Sequence, residues 1–257
     1  MFKALSDGTT PIEGKDFRIS ALGLNMIWVN KGSFFMGTKN LKAPKNERPQ
    51  TLVTLTRGYW IASMETQQVL YAQLMKENPS ENNASNLPVE NVTFYDARIF
   101  CRKLTELERQ RQCLPDGYSY GLPTEAQWEF AAQGGAGKKN LNQPTLNESD
   151  WHRDNSDMIP HPTGKKTPRL PGLHDMLGNV HELCEGRSGR YPGTQVNDWE
   201  GPLEGTFRIA RGGSWFSSPN DCRTTFRLEV PSDFRMGNIG FRVALVPVKN
   251  KETGKKP

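Results

Sequence analysis

The feature that most constrains this chain is a long interval without periodicity. Between residues 135 and 206, Gly, Pro, Asn and Asp recur, and neither a helical nor a strand-like apolar repeat persists. So long an irregular interval packs inside a compact domain only if its ends and interior are tied down. Regular elements must therefore come from the flanks.

The N-terminal flank supplies them. Met26–Gly37, MIWVNKGSFFMG, clusters apolar residues about Asn30-Lys31-Gly32 and reads as a hairpin. Leu52–Ile61 reads as one strand with Val and Thr alternation. A helix is expected over Thr66–Asn78, stopped by Pro79. Thr93 is placed to cap a second helix from Phe94 to about Gln110, with Ala97, Phe100, Cys101 and Leu104 on its core face. Thr124 and Gln127 have capping-box spacing and open a short helix through Trp128, Phe130 and Ala131. Short strands return at Phe207–Arg211, near Thr224–Glu229 and over Ile239–Pro247. Early helices and strands at both ends argue for an α+β chain with antiparallel sheets, in one domain of residues 26–248. Residues 1–25 read as a polar lead-in and 249–257 as a basic tail.

Composition excludes some classes. No apolar run approaches the roughly 20 residues of a membrane helix, so no integral membrane segment is expected. The formal net charge is +5, but residues 249–257 hold four Lys against one Glu. The basic balance is thus largely a solvated tail, and no nucleic-acid partner is expected. The start of the chain has no apolar core of a signal peptide. A periplasmic or secreted location is expected if a signal precedes residue 1, and a cytoplasmic one otherwise.

The four cysteines, Cys101, Cys113, Cys184 and Cys222, show no metal-ligand spacing. Cys101 lies on a helical core face and reads as a buried thiol. His152, His161, His174 and His181 all fall in or beside the irregular interval and read as turn or surface residues. His181 is the exception, read either as a group that titrates near neutrality or as one that faces water.

Eight segments in order resemble the formylglycine-generating enzyme, or sulfatase-modifying factor, family: 26–38, 58–75, 87–104, 120–135, GLHDMLGNVHEL at 172–183, RGGSW at 211–215, CRTTFR at 222–227 and NIGFRVAL at 238–245. The resemblance implies a formylglycine-generating-enzyme-like, C-type-lectin-like single domain with little regular secondary structure. It places Cys184 near Cys222, where a disulfide is possible. It also points to His181, Ser214, Trp215 and Arg223 as groove residues, with His181 where relatives usually carry Trp.

Asp175 and Glu182 bracket Gly178 at a spacing of seven residues. Spacing alone describes a turn with two solvated acids. The resemblance implies instead one structural calcium held at Asp175, Gly178, Val180 and Glu182, since calcium accepts mixed carboxylate and carbonyl oxygens. Copper is not expected. Counting from GGS puts Ser217 at the family's first copper cysteine and Cys222 at the second; counting back from GFR puts Pro219 at the second. Either way a thiolate is missing, and a hydroxyl does not replace one toward copper(I). Ser214 has no evident base, so no catalytic residue is assigned. Arg223, Arg227 and Arg242 are expected to pair with Glu129, Asp175 or Glu182.

Two functions follow from the resemblance. The first is a non-catalytic protein that binds a protein or peptide, in bacteria neutralising a toxic effector or an envelope enzyme. The second is a metal-dependent oxidoreductase that modifies a peptide or small molecule.

Overall fold

The computed structural model describes residues 10–135, 144–170 and 172–248. The 249–257 tail and the first nine residues of the lead-in lie outside them.

A sheet of five strands forms the spine: β1 (Phe17–Ile19), β2 (Leu24–Val29), β5 (Tyr59–Ala62), β12 (Ala244–Pro247) and β6 (Tyr118–Gly121), hydrogen-bonded in that order and antiparallel throughout. The C-terminal strand β12 thus lies between β5 and β6. Both faces of the sheet are covered. Met26, Trp28, Trp60 and Ala62 point into one core, while Ile27, Val29, Tyr59 and Ile61 point into the other. On the first face pack α1 (Gln68–Met75) and α2 (Phe94–Gln110). On the second packs α3 (Glu125–Ala132), with Leu170, Leu173, Met176 and Leu177 from the irregular interval.

Helix α2 follows the sequence closely. The Thr93 hydroxyl accepts from Asp96 N–H at 3.1 Å, and the Asp96 carboxylate accepts from Thr93 N–H at 2.9 Å. This reciprocal cap satisfies two donors that a helix start leaves open. Its buried stripe includes Ala97, Phe100, Cys101 and Leu104, as expected. Thr124 and Gln127 cap α3 in the same way.

The strand readings need correction. β2 and β3 (Gly32–Met36) do not form a hairpin. β2 joins the five-stranded sheet, whereas β3 pairs with β4 (Thr51–Leu55) in a separate sheet completed by β8 (Val196–Asn197). The reason is burial on both faces of β2, which sets it inside the sheet between β1 and β5 rather than beside β3. The expected strand at 52–61 is likewise two strands, broken at 56–58. A Cβ at Gly58 would stand 2.2 Å from the Trp28 ring, so the chain turns where only glycine fits. The lead-in is not wholly irregular either, since it contains β1 and the start of β2.

The third sheet runs β10 (Arg227–Pro231), β9 (Phe207–Arg211), β7 (His181–Leu183) and β11 (Ile239–Gly240), with β7 and β11 parallel. Among its described residues the irregular interval contributes α4 (Leu146–Ser149), β7 and β8. Among the described residues no helix is long and apolar enough to cross a membrane.

Candidate functional site

The irregular interval is fixed by a buried ion pair and close backbone contacts. Glu182, in β7, is wholly buried. Its carboxylate accepts from Arg242 Nε and from an Arg242 terminal nitrogen, both at 2.6 Å, and from Trp128 Nε1 at 2.7 Å. The same guanidinium donates to the carbonyls of Ala62 and His174. Gly178 lies against the Trp151 backbone, and a Cβ there would meet Trp151 O at 2.2 Å. Asn179 N–H donates to that same carbonyl at 2.8 Å.

Glu65, which sequence reasoning missed, joins this place from the segment after β5. It is fully buried and accepts from Val180 N–H at 3.0 Å and from Asn179 Nδ2 at 2.8 Å. Burial raises its pKa well above the carboxylate range, and the charges of Asp175 and Glu182 raise it further; Arg242 opposes them. Asp175 Oδ2 accepts from Gly164 N–H at 2.6 Å, but its buried Oδ1 has no partner. Burial pushes Asp175 up to about 7.

Three buried carboxylates therefore face one guanidinium. Buried charge without compensation is costly, so this place suits either protons or a further cation. The unpartnered Asp175 oxygen suits a hard cation such as calcium, which takes oxygen ligands, whereas both Glu182 oxygens already accept from Arg242 or Trp128 and would have to be shared. Among the described residues no three His, Cys, Asp or Glu side chains converge as a metal set. The expected calcium ligands include only two carboxylates, the others being backbone carbonyls of Gly178 and Val180.

Beside this place the four expected groove residues share one neighbourhood. Ser214 is wholly buried after β9, and its hydroxyl lies 3.1 Å from that of Ser217. Ser217 Oγ accepts from Ser214 N–H at 3.0 Å and stands 3.3 Å from His181 Nε2. Asn238 Nδ2 donates to Ser214 Oγ at 3.1 Å. These bonds link Asn238, Ser214, Ser217 and His181 in one chain. Burial drives His181 down to about 4, so its imidazole is neutral near pH 7. The surface reading fails for His181 and for His152, both buried. The His181 ring stacks on Phe226, over which Arg223 lies. Trp215 Nε1 donates to Gly237 O at 3.1 Å, and Phe216 beside it is 49% exposed.

The arginines pair differently from expectation in part. Arg242 takes Glu182, as expected. Arg227 takes Glu125, with Nε–Oε1 at 2.6 Å, and Arg211 bridges Glu125 and Glu129 at 3.1 and 2.5 Å. Arg223 binds the buried Glu47, whose oxygen also accepts from Thr225 at 2.7 Å. Glu47 lies in no motif, and Glu125, though inside the 120–135 segment, has nothing local to mark its partners.

The disulfide expectation is not met. All four cysteines are free and buried. Cys184 Sγ is directed at the Glu182 carbonyl at 3.6 Å, whereas Cys222 Sγ packs beside Gly213. The two thiols therefore face different neighbours.

A domain with a short sheet spine, two capped helices and a loop crown held by buried Arg–Glu pairs defines a formylglycine-generating-enzyme-like protein. The chain belongs to the Sulfatase-modifying factor enzyme 1-like domain family, which matches it over residues 20–246. It is 28% identical to a chaperone protein, LppX, of Paenibacillus barcinonensis, over 86% of this chain and 88% of that one. It is 30% identical to an inactive C-alpha-formylglycine-generating enzyme 2 of Mus musculus, over 65% of this chain, and spans about half (51%) of that relative's length. Among solved structures, Treponema denticola variable protein 1 superposes with a TM-score of 0.78 at 27% identity, over 93% of this chain and 100% of that one.

Proposed function

We propose that this chain is a non-catalytic protein that binds a protein or peptide through the loop face around Trp215 and Phe216. In bacteria its role would be to neutralise a toxic effector or an envelope enzyme. The observation that carries the reading is Ser217. It stands where the family's first copper thiolate is expected, and its hydroxyl is bound to Ser214 and His181. The neighbouring thiol is a poor ligand as well: burial pushes Cys222 up to about 12 and keeps it protonated. A hydroxyl and a protonated thiol make no copper(I) pair.

The same loops are built as a binding face. Phe216, Met158, Ile159 and Met236 are each between 44% and 49% exposed. Backbone and side-chain bonds hold them in place: Ser156 Oγ donates to Trp215 O at 2.8 Å, and Arg153 N–H to Ser217 O at 3.0 Å. A rigid crown with apolar tips is suited to recognition. The relatives named inactive or chaperone are consistent with this reading.

One calcium is part of the proposal. Asp175 and Glu182 side chains, with the Gly178 and Val180 carbonyls, would hold it. Bound there, it would supply positive charge that offsets the acid excess and tie the interval to β7.

The test is affinity capture from source cells with the wild type and Phe216→Asp, followed by metal analysis of the purified protein. The reading expects a partner retained by the wild type and lost by the variant, with calcium and neither copper nor iron at stoichiometry. Stoichiometric copper or iron would favour the oxidoreductase.

A further inference from the structure

A second basin, separate from the Trp215 face, opens between residues 38–50, the turn at 188–190 and the start of β9. Its cavity measures about 1010 Å³. Four cations line it: Lys39, Lys45, Arg48 and Arg190. Glu229 is the one carboxylate among its lining residues, and it already accepts from Ser188 Oγ at 2.8 Å. None of the four cations makes an ion pair with a described residue. Elsewhere the fold pairs its arginines carefully, as Arg211, Arg227 and Arg242 show.

Arg48 gives an independent indication. Its Nε is shut away from water and has no acceptor. A buried donor without a partner costs about 1–3 kcal/mol, and an incoming carboxylate would satisfy it. The basin also has apolar walls: Leu41 is 82% exposed and Phe207 46%.

We infer that this basin binds an acidic peptide segment of a partner protein, its carboxylates against the four cations and its apolar side chains against Leu41 and Phe207. The volume is far larger than one inorganic anion needs. A sulfated glycan would leave the apolar walls without complement. Guanidinium–carboxylate pairs are geometrically specific, whereas the lysines supply less directional charge.

Fluorescence anisotropy tests this on the intact chain with a short labelled peptide that alternates glutamate with leucine and serine. The glutamine counterpart, inorganic sulfate and a heparin fragment serve as competitors. The glutamate peptide is expected to bind, more weakly as salt rises, and the glutamine peptide to bind about tenfold or more weaker. The double variant Lys45→Glu, Arg190→Glu is expected to lose about tenfold or more, while Lys31→Glu, Lys165→Glu keeps its affinity. Both substituted pairs are exposed, and thermal melts check that the variants remain folded. If the reversal unfolds the chain, Lys39→Gln, Lys45→Gln replaces it. Equal binding of the glutamine peptide, full affinity in the basin variants, or binding of the heparin fragment without the peptide would each overturn the inference.

Discussion

The Ser217 hydroxyl stands 3.3 Å from Nε2 of a buried, neutral His181, so the residue that the family count sets at a thiolate position touches the one set where relatives usually carry tryptophan. The two side chains form one unit. Ser217→Ala removes the acceptor of Ser214 N–H and leaves His181 Nε2 unsatisfied. A loss of about 1–3 kcal/mol in urea unfolding is expected. An unchanged midpoint would show that this bond does not exist in solution.

Oxygen-dependent conversion of a sulfatase-motif peptide should be absent even with added copper(I). Mass spectrometry of the peptide reads this directly, and sustained turnover would refute the assignment of Ser217 to the thiolate position.

Calcium should raise the melting temperature and chelation lower it. At free calcium a hundredfold above the dissociation constant the gain is about 2.7 kcal/mol. Calorimetric titration should give one site, lost in Asp175→Ala. Identical melts with calcium and with chelator would remove calcium from the proposal.

Arg242→Met strands Glu182 in the core with only Trp128 as donor. Removing one partner of a buried pair costs about 3–5 kcal/mol. The double variant Arg242→Met, Glu182→Gln should recover part of that loss. A double variant as unstable as the single one would mean that packing, not charge, dominates there.

Acid should weaken the fold through Glu125. Burial alone raises this carboxyl, but Arg227 and Arg211 outweigh burial and hold it below its ordinary range. A lowered folded-state pKa contributes stability above the unfolded value, near about pH 4, and loses it as pH falls through the folded one. Thermal melts across that window should slope less steeply in Glu125→Gln than in the wild type. Parallel slopes would exclude this linkage.

What the sequence revealed was local. The caps at Thr93 and Thr124, the stripe on α2 and the strand at Phe207–Arg211 rest on neighbours a few residues apart. The family motifs add the identity of the crown. The losses share a physical cause, which is pairing across the chain. β2 looked like half of a hairpin because its apolar run does not say which strand lies beside it. Glu65 meets Val180, and Glu47 meets Arg223, over separations of 115 and 176 residues. Glu47 belongs to no motif, and Glu65 lies in the 58–75 segment with nothing local to mark its partner. The His181–Ser217–Asn238 chain draws one residue from each of three segments, so Ser214 seemed to lack a base nearby.

The placement of β12 bears on when this fold can form. It is the last strand in the described chain, yet β6 joins the sheet only through it, and β5, paired with β2 on one side, has it as its other neighbour. During synthesis those two strands keep open edges until residue 247 has left the ribosome. Sheet closure must then wait for residues 244–247, and the growing polypeptide passes through a stage that a holding chaperone, rather than early folding, would have to protect.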